Sequence, residues 1–155
     1  VNRLLTTQAK DVMVKHVISV LPKTGLKELS TIFIENQISG APVVDDERRL
    51  VGFVSQTDLV ELELHSEDFL ESRLDETGGF VQDIMVPEVK SLPETATLAV
   101  VLDIMCTERL HRVIIVDEQL QVSGIITTMD VLCYLRQLFQ QGYANTNDNN
   151  VGQGE

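Results

Sequence analysis

The chain has 155 residues, 43% of them hydrophobic and 23% charged, and its 24 Asp and Glu against 12 Lys and Arg give a formal net charge of −12. That length and composition suit an ordinary globular protein, with one core or two small halves sharing one, and exclude a disordered or fibrous chain. The negative charge, with no basic stripe interleaved with aromatics, argues against nucleic acid as a partner. Apolar runs such as HVISVL and RVIIV break far short of the ~20 residues a membrane helix needs, and no secretory signal is recognisable. Cys106 and Cys133 form no CxxC pair and lie in apolar helical patterns, so they read as buried thiols of a reducing, cytoplasmic protein. The chain opens on Val1 without an initiator Met, which reads as a part excised from something longer.

In chain order, residues 1–8 lead into KDVM, a short helical start. VISV is extended, and Leu26, Leu29 and Phe33 then recur at helical spacing with one buried face. APVVD and LVGFVS are β-branched runs on either side of the polar turn DERR. A second helix begins at TDLVELEL. The acidic stretch HSEDFLESRLDETGG extends that helix and breaks at its Gly pair. Its Glu67, Asp68, Glu71, Asp75 and Glu76 read as a solvated charge run with no metal role. QDIM then opens the same series again: VKSL, a helix through Leu98, Val101, Leu102 and Met105, the runs RVIIVD and VSGIIT around EQLQ, and a helix at MDVLCYLRQLF. After Gln140, QGYANTNDNNVGQGE has no apolar period and is expected to be flexible.

The two series are copies. GFVSQTD at 52–58 and GIITTMD at 124–130 share Gly, two apolar residues, Ser or Thr, two residues and Asp, at an offset of 72. Asp11 and Met13 meet Asp83 and Met85 at the same offset, and Val43-Val44-Asp45 meets Ile115-Val116-Asp117. Pro22 and Pro93 are out of step by one, which implies a one-residue difference in that turn. The division is a lead-in at 1–8, repeat 1 at 9–64, an acidic linker at 65–80, repeat 2 at 81–140 and a tail at 141–155. Each repeat is a β-α-β-β-α unit of α+β class behind a short helical lead-in. A unit this small has an open sheet face, and burying it against the other copy completes a core.

The repeated motif has two readings. Ser or Thr at a strand end, a carboxylate three residues on and then an apolar run is the signature of a capped helix start, with Ser55 and Thr127 as caps and Asp58 and Asp130 complementing the dipole. Reciprocal capping prefers the longer Glu or Gln, and both copies have Asp. Alternatively, free amides and a hydroxyl at a helix N-terminus suit a phosphate. An Asp one turn in can then accept two hydrogen bonds from the vicinal hydroxyls of a ribose. Gly40, Ala41 and Pro42 would supply a slot for a flat base.

Two such units, each opening with DVM or DIM and closing with Gly, two apolar residues and Ser/Thr-x-x-Asp, resemble a tandem of cystathionine β-synthase (CBS) domains, a Bateman module. The resemblance covers 9–64 and 81–140. It implies two units related by pseudo-two-fold symmetry, small mixed sheets packed together and flanked by helices. It also implies a regulatory module, with no cofactor and no catalysis, that binds AMP, ADP, ATP or S-adenosylmethionine between the copies and acts on an attached or partner protein. Carried over, one site joins Ser55 and Asp58 to Val89, Lys90, His111, Arg112 and Ile114. The other joins Thr127 and Asp130 to His16, Val17, Gly40, Ala41 and Pro42. His111-Arg112 resembles the basic dipeptide that meets phosphate, against the alternative of a solvated loop. RVIIVD lacks the proline of GAPVVD, a departure at the base slot beside Asp58.

An enzyme is the least supported class: His16, His65 and His111 have no metal-ligand spacing, and no P-loop, GxSxG or Rossmann fingerprint occurs. The rival is a dimerisation module without ligand. Leu59, Val60, Leu62, Leu64, Val131, Leu132, Leu135, Leu138 and Phe139 exceed what one sheet face can cover and imply a homodimer.

Overall fold

A computed structural model describes residues 2–64 and 78–148. Two short helices, α1 (Asn2–Thr6) and α2 (Ala9–Val12), precede helix α3 (Leu26–Asn36), the hairpin β1 (Gly40–Val44) and β2 (Leu50–Ser55), and helix α4 (Gln56–Leu64). The second series is α5 (Val81–Ile84), β3 (Ser91–Pro93), α6 (Leu98–Glu108), β4 (Arg112–Val116), β5 (Val122–Thr127) and α7 (Thr128–Asp148). The expected helical course of the acidic linker falls largely outside the described residues. Gly78 and Gly79, at its end, take φ of 82° and 85°, which suits residues without a Cβ.

Local chemistry is the same in both copies. Leu26, Leu29 and Phe33 on α3 are buried, as are Leu98, Val101 and Met105 on α6. Each helix ends on a left-handed residue, Gln37 at φ 53° and Arg109 at φ 54°. In the hairpin turns Asp45 Oδ1 accepts from the Glu47 and Arg49 amides, and Asp117 Oδ1 accepts from those of Gln119 and Gln121, all at 2.9 Å. The turns before α3 and α6 also correspond. Thr24 N–H donates to the Leu21 carbonyl, and Ala96 N–H, 72 residues on, to that of Pro93, both at 3.0 Å. No residue is therefore inserted there; only the position of the proline differs.

One expectation is corrected. The β-α-β-β-α order is complete in the second copy, where β3 runs parallel to β4 and β4 antiparallel to β5. In the first copy the leading strand shrinks to a parallel bridge of Val20 to Val43, beside the two-stranded sheet of β1 and β2. Of the tail after Gln140, the described residues, as far as Asp148, continue α7. They carry no proline, and a helix already nucleated adds a hydrogen bond with each further residue.

The lead-in helices are exchanged. Ala9 N–H donates to the Ala96 carbonyl at 2.7 Å, Val14 pairs with Ile125, and Ala9, Val12 and Met13 join a core built from Leu98, Val101, Val113, Ile115 and Ile126. Conversely Val81 N–H donates to the Thr24 carbonyl at 2.9 Å, and Val86 pairs with Phe53. Val81, Ile84 and Met85 pack against Leu29, Phe33, Val43 and Val54. The physical unit thus differs from the sequence repeat. The motif glycines follow from this exchange: a Cβ on Gly124 would stand 2.2 Å from Met13 Sδ, and one on Gly52 would stand 2.8 Å from Met85 Sδ. At the other end the hairpin turns meet, with Arg49 bridging to Gln121 and Gln121 Nε2 donating to the Glu47 carbonyl at 2.9 Å.

Cys106 and Cys133 are exposed, not buried. Cys106 follows the buried Met105 and so lies off the stripe set by Leu98, Val101 and Met105. Among the described residues no helix is long and apolar enough to cross a membrane.

Candidate functional site

Both repeated motifs form closed capping boxes. Ser55 N–H and Oγ–H donate to Asp58 Oδ2 at 2.6 and 2.8 Å, and Asp58 N–H reaches back to Ser55 Oγ at 3.4 Å. Thr127 and Asp130 repeat this at 2.7, 2.7 and 3.3 Å. Asp therefore closes the reciprocal box despite its shorter side chain. All four donor contacts from Ser55 and Thr127 end on Oδ2, so the capping role engages one oxygen of each carboxylate.

Strand β2 runs straight into α4, so its alternate residues Phe53 and Ser55 share a face above the helix start. Across from them lie the segment after α5 and the turn from α6 to β4. Together they enclose a half-open cavity of about 490 Å³, within the ~300–1,000 Å³ of small-molecule sites. Ser55, Asp58, Val89, Lys90, His111, Arg112 and Ile114, the whole first set carried over from the sequence, line it. Ile114 is 1% exposed and forms its floor.

Residues that sequence reasoning missed also line this cavity: Phe53, Val86, Glu88, Glu108, Arg109 and Leu110. Phe53 was findable, since it stands two residues before Ser55 on the same strand. The Arg112 guanidinium lies over its ring, 5.0 Å from the centroid, and beside Gly40, where a Cβ would meet Arg112 Nη1 at 2.5 Å. Glycine at 40 thus makes room for arginine at 112. Lys90 Nζ is 2.9 Å from Glu108 Oε1. The cavity is therefore mixed in charge: the carboxylates of Asp58, Glu88 and Glu108 line it together with Lys90, Arg109, Arg112 and His111.

The second set lies on strand β1, at the end of β5 and the start of α7, and on the segment after α2. Thr127 lies opposite Arg112 on the β4–β5 ladder, and Gly40 opposite Ser55 on β1–β2. His16 is exposed and Val17 half-buried. Ala41 is fully buried against Leu29, Phe33 and Val54, so its side chain belongs to the core. Pro42 is fully buried as well. The residues of this second set are not among those that line the cavity described above. Among the described residues no group of three or more His, Cys, Asp or Glu is placed to hold a metal ion, and the acidic linker residues Glu67, Asp68, Glu71, Asp75 and Glu76 lie outside them.

Two repeated units that exchange their lead-in helices and close a cleft between a capped Asp and the partner unit's strand entry define a tandem-repeat α+β module. The CBS domain family matches residues 9–65 and 81–137, and the chain belongs to that family. It is 29% identical over 143 residues to the uncharacterized protein MJ1232 of Methanocaldococcus jannaschii, covering 92% of this chain and 44% of that protein. It is 33% identical over 125 residues to inosine-5'-monophosphate dehydrogenase of the same organism, covering 81% of this chain and 23% of the enzyme. The chain thus spans less than half the length of these curated relatives. Among solved structures, CBSX2 of Arabidopsis thaliana in complex with AMP superimposes with a TM-score of 0.75 at 26% identity, over 85% of this chain and 98% of that one.

Proposed function

We propose that this chain is a non-catalytic regulatory module that binds an adenosine nucleotide or derivative in the cleft between its CBS repeats and relays occupancy to a partner protein. The observation that carries this reading is the convergence of Asp58 and Ser55 from one repeat with Lys90, His111 and Arg112 from the other on one cavity with an apolar floor. CBSX2, of the same architecture, is known in complex with AMP. The free oxygen lone pairs of the Asp58 carboxylate suit a ribose diol, and the Val89 and Ile114 surfaces suit a flat base. A thermal-shift series with adenosine, AMP, ADP, ATP and S-adenosylmethionine tests it. A ligand bound only by the folded state adds about 2.7 kcal/mol at a hundredfold excess over Kd. Absence of a shift with every compound at millimolar concentration sinks the reading.

A second reading is a dimerisation module in which the motifs only cap helices. It is favoured by the closed boxes, and by Met129, Leu132 and Phe139, which are 63%, 58% and 67% exposed along α7. Val131 is instead buried, and Leu59, Leu62 and Leu135 pack partly on the cores; among the described residues the large apolar side chains exposed on the second helices are Val60, Met129, Leu132 and Phe139. Both readings include a homodimer through these helices. Light scattering at high micromolar concentration checks it: a dimer mass is expected, and a monomer mass refutes the pairing.

A further inference from the structure

The cleft carries an anion of its own. Lys90 and Glu108 stand 2.9 Å apart with side chains 59% and 35% exposed, and both line the cavity that Ser55 and Asp58 line. Glu108 ends α6 just before the left-handed Arg109, so its carboxylate is delivered at the cavity edge by the same turn that delivers His111 and Arg112. Lys90 is therefore a cation already answered. A phosphate drawn to it must share it with Glu108 or displace that carboxylate, and in either case lies near a negative charge, with Glu88 lining the same cavity. Each added negative charge on a ligand meets this opposition again, in a chain whose net charge is −12. The arrangement belongs to one repeat only, since the positions 72 residues earlier are Ile18 and Asn36.

We infer that Glu108 is a specificity-determining residue of the cleft: by holding Lys90 it makes affinity fall as the negative charge of an adenosine ligand rises, favouring the nucleoside and its low-charge derivatives over the triphosphate. This rests on the adenosine reading above and adds to it a charge preference with a named cause. Titration calorimetry on the full chain, with adenosine, AMP and metal-free ATP at low salt, tests it. Wild type binds ATP no more tightly than AMP. Glu108→Gln tightens ATP roughly three- to tenfold, AMP less, and leaves adenosine within about twofold. The gain is absent when Lys90→Met is combined with Glu108→Gln. Asp103→Asn, which removes the same charge from an exposed site on α6 that lines a different cavity, changes ATP binding by less than about twofold. Tighter binding of ATP than AMP by wild type, an equal gain for adenosine, or the same gain from Asp103→Asn overturns the inference. If no ligand binds to wild type or to Glu108→Gln, the adenosine reading itself falls. If adenosine binds and Glu108→Gln leaves ATP unchanged, that reading stands and only the role of Glu108 is lost.

Discussion

In the first repeat Asp58 takes the Ser55 amide at 2.6 Å, Asp45 ties the hairpin turn, and Arg48 bends it at φ 65°. In the second, Asp130 takes the Thr127 amide at 2.7 Å, Asp117 ties the turn, and Leu120 bends it at φ 63°. The backbone has been held nearly bond for bond. The cleft edge has not: Gly40, Ile18 and Asn36 in one copy stand where the other has Arg112, Lys90 and Glu108. Residues that close a turn, cap a helix or fill a core are constrained by the fold, because loss of any one leaves an unsatisfied polar group or a cavity. Exposed side chains at the rim carry no such obligation, so duplication leaves them free to diverge, and chemistry enters there.

Changes that strike the shared scaffold have the largest effect. Val81 is fully buried in the core of the first repeat although it belongs to the second in sequence. Val81→Ala is expected to lose roughly 2 kcal/mol of stability. Hydrogen exchange should place the loss of protection in α3 and β1. Protection lost in α6 and β4 instead would mean that the exchange of lead-ins does not govern stability.

Asp58→Asn keeps an acceptor for the Ser55 amide but removes the charge offered to a ligand. Adenosine affinity should fall by about 1–1.5 kcal/mol, the gap between hydrogen bonds to charged and neutral acceptors. The thermal midpoint without ligand should move less. Calorimetry beside a melt separates the two, and a change confined to the melt would leave Asp58 as a cap alone. The same change at Asp130 asks whether the other repeat binds anything.

Arg112→Ala releases the Phe53 ring and removes a cation from the cleft. AMP binding should weaken by roughly 1 kcal/mol while adenosine binding changes less, opposite in sign to Glu108→Gln. Equal losses for both ligands would assign Arg112 to the shape of the cavity.

The smallest effect concerns pH. The Arg49 backbone N–H, chiefly, with the Arg49 side chain and the Glu47 amide, holds the Asp45 carboxyl below the usual carboxylate range against a smaller desolvation effect. A carboxyl lowered in the folded state contributes stability above its unfolded pKa of about 3.9, and loses it as pH falls through the lower folded value. Asp45→Asn should therefore flatten the acid limb of the stability curve. A limb as steep as that of wild type would show that other carboxyls dominate it.

The repeat was legible because hydrophobic period and turn chemistry recur together at one offset, and the first cavity because its residues sit in motifs. Where α2 and α5 dock was not. Periodicity tells which face of a helix is buried, and KDVM and QDIM carry the same face whichever half receives them. The pairing of Lys90 with Glu108 joins segments linked only by the fold, beyond the reach of local spacing. The cysteines were misread for a simpler reason: a helix rich in apolar residues still has an outer side.

Exchange of the lead-ins also governs how the chain can fold. Ala9 must find Leu98, 89 positions on, and Val81 must find Leu29, 52 positions back, so each core is closed by contacts between distant segments rather than by neighbours in sequence. Such contacts incur the entropy of closing long loops before either core is complete, which favours slow, concerted folding over two independent events. A nascent chain that has emerged through α4 holds α3, β1 and β2 with their inner face still open. It waits for the next repeat to supply the cover.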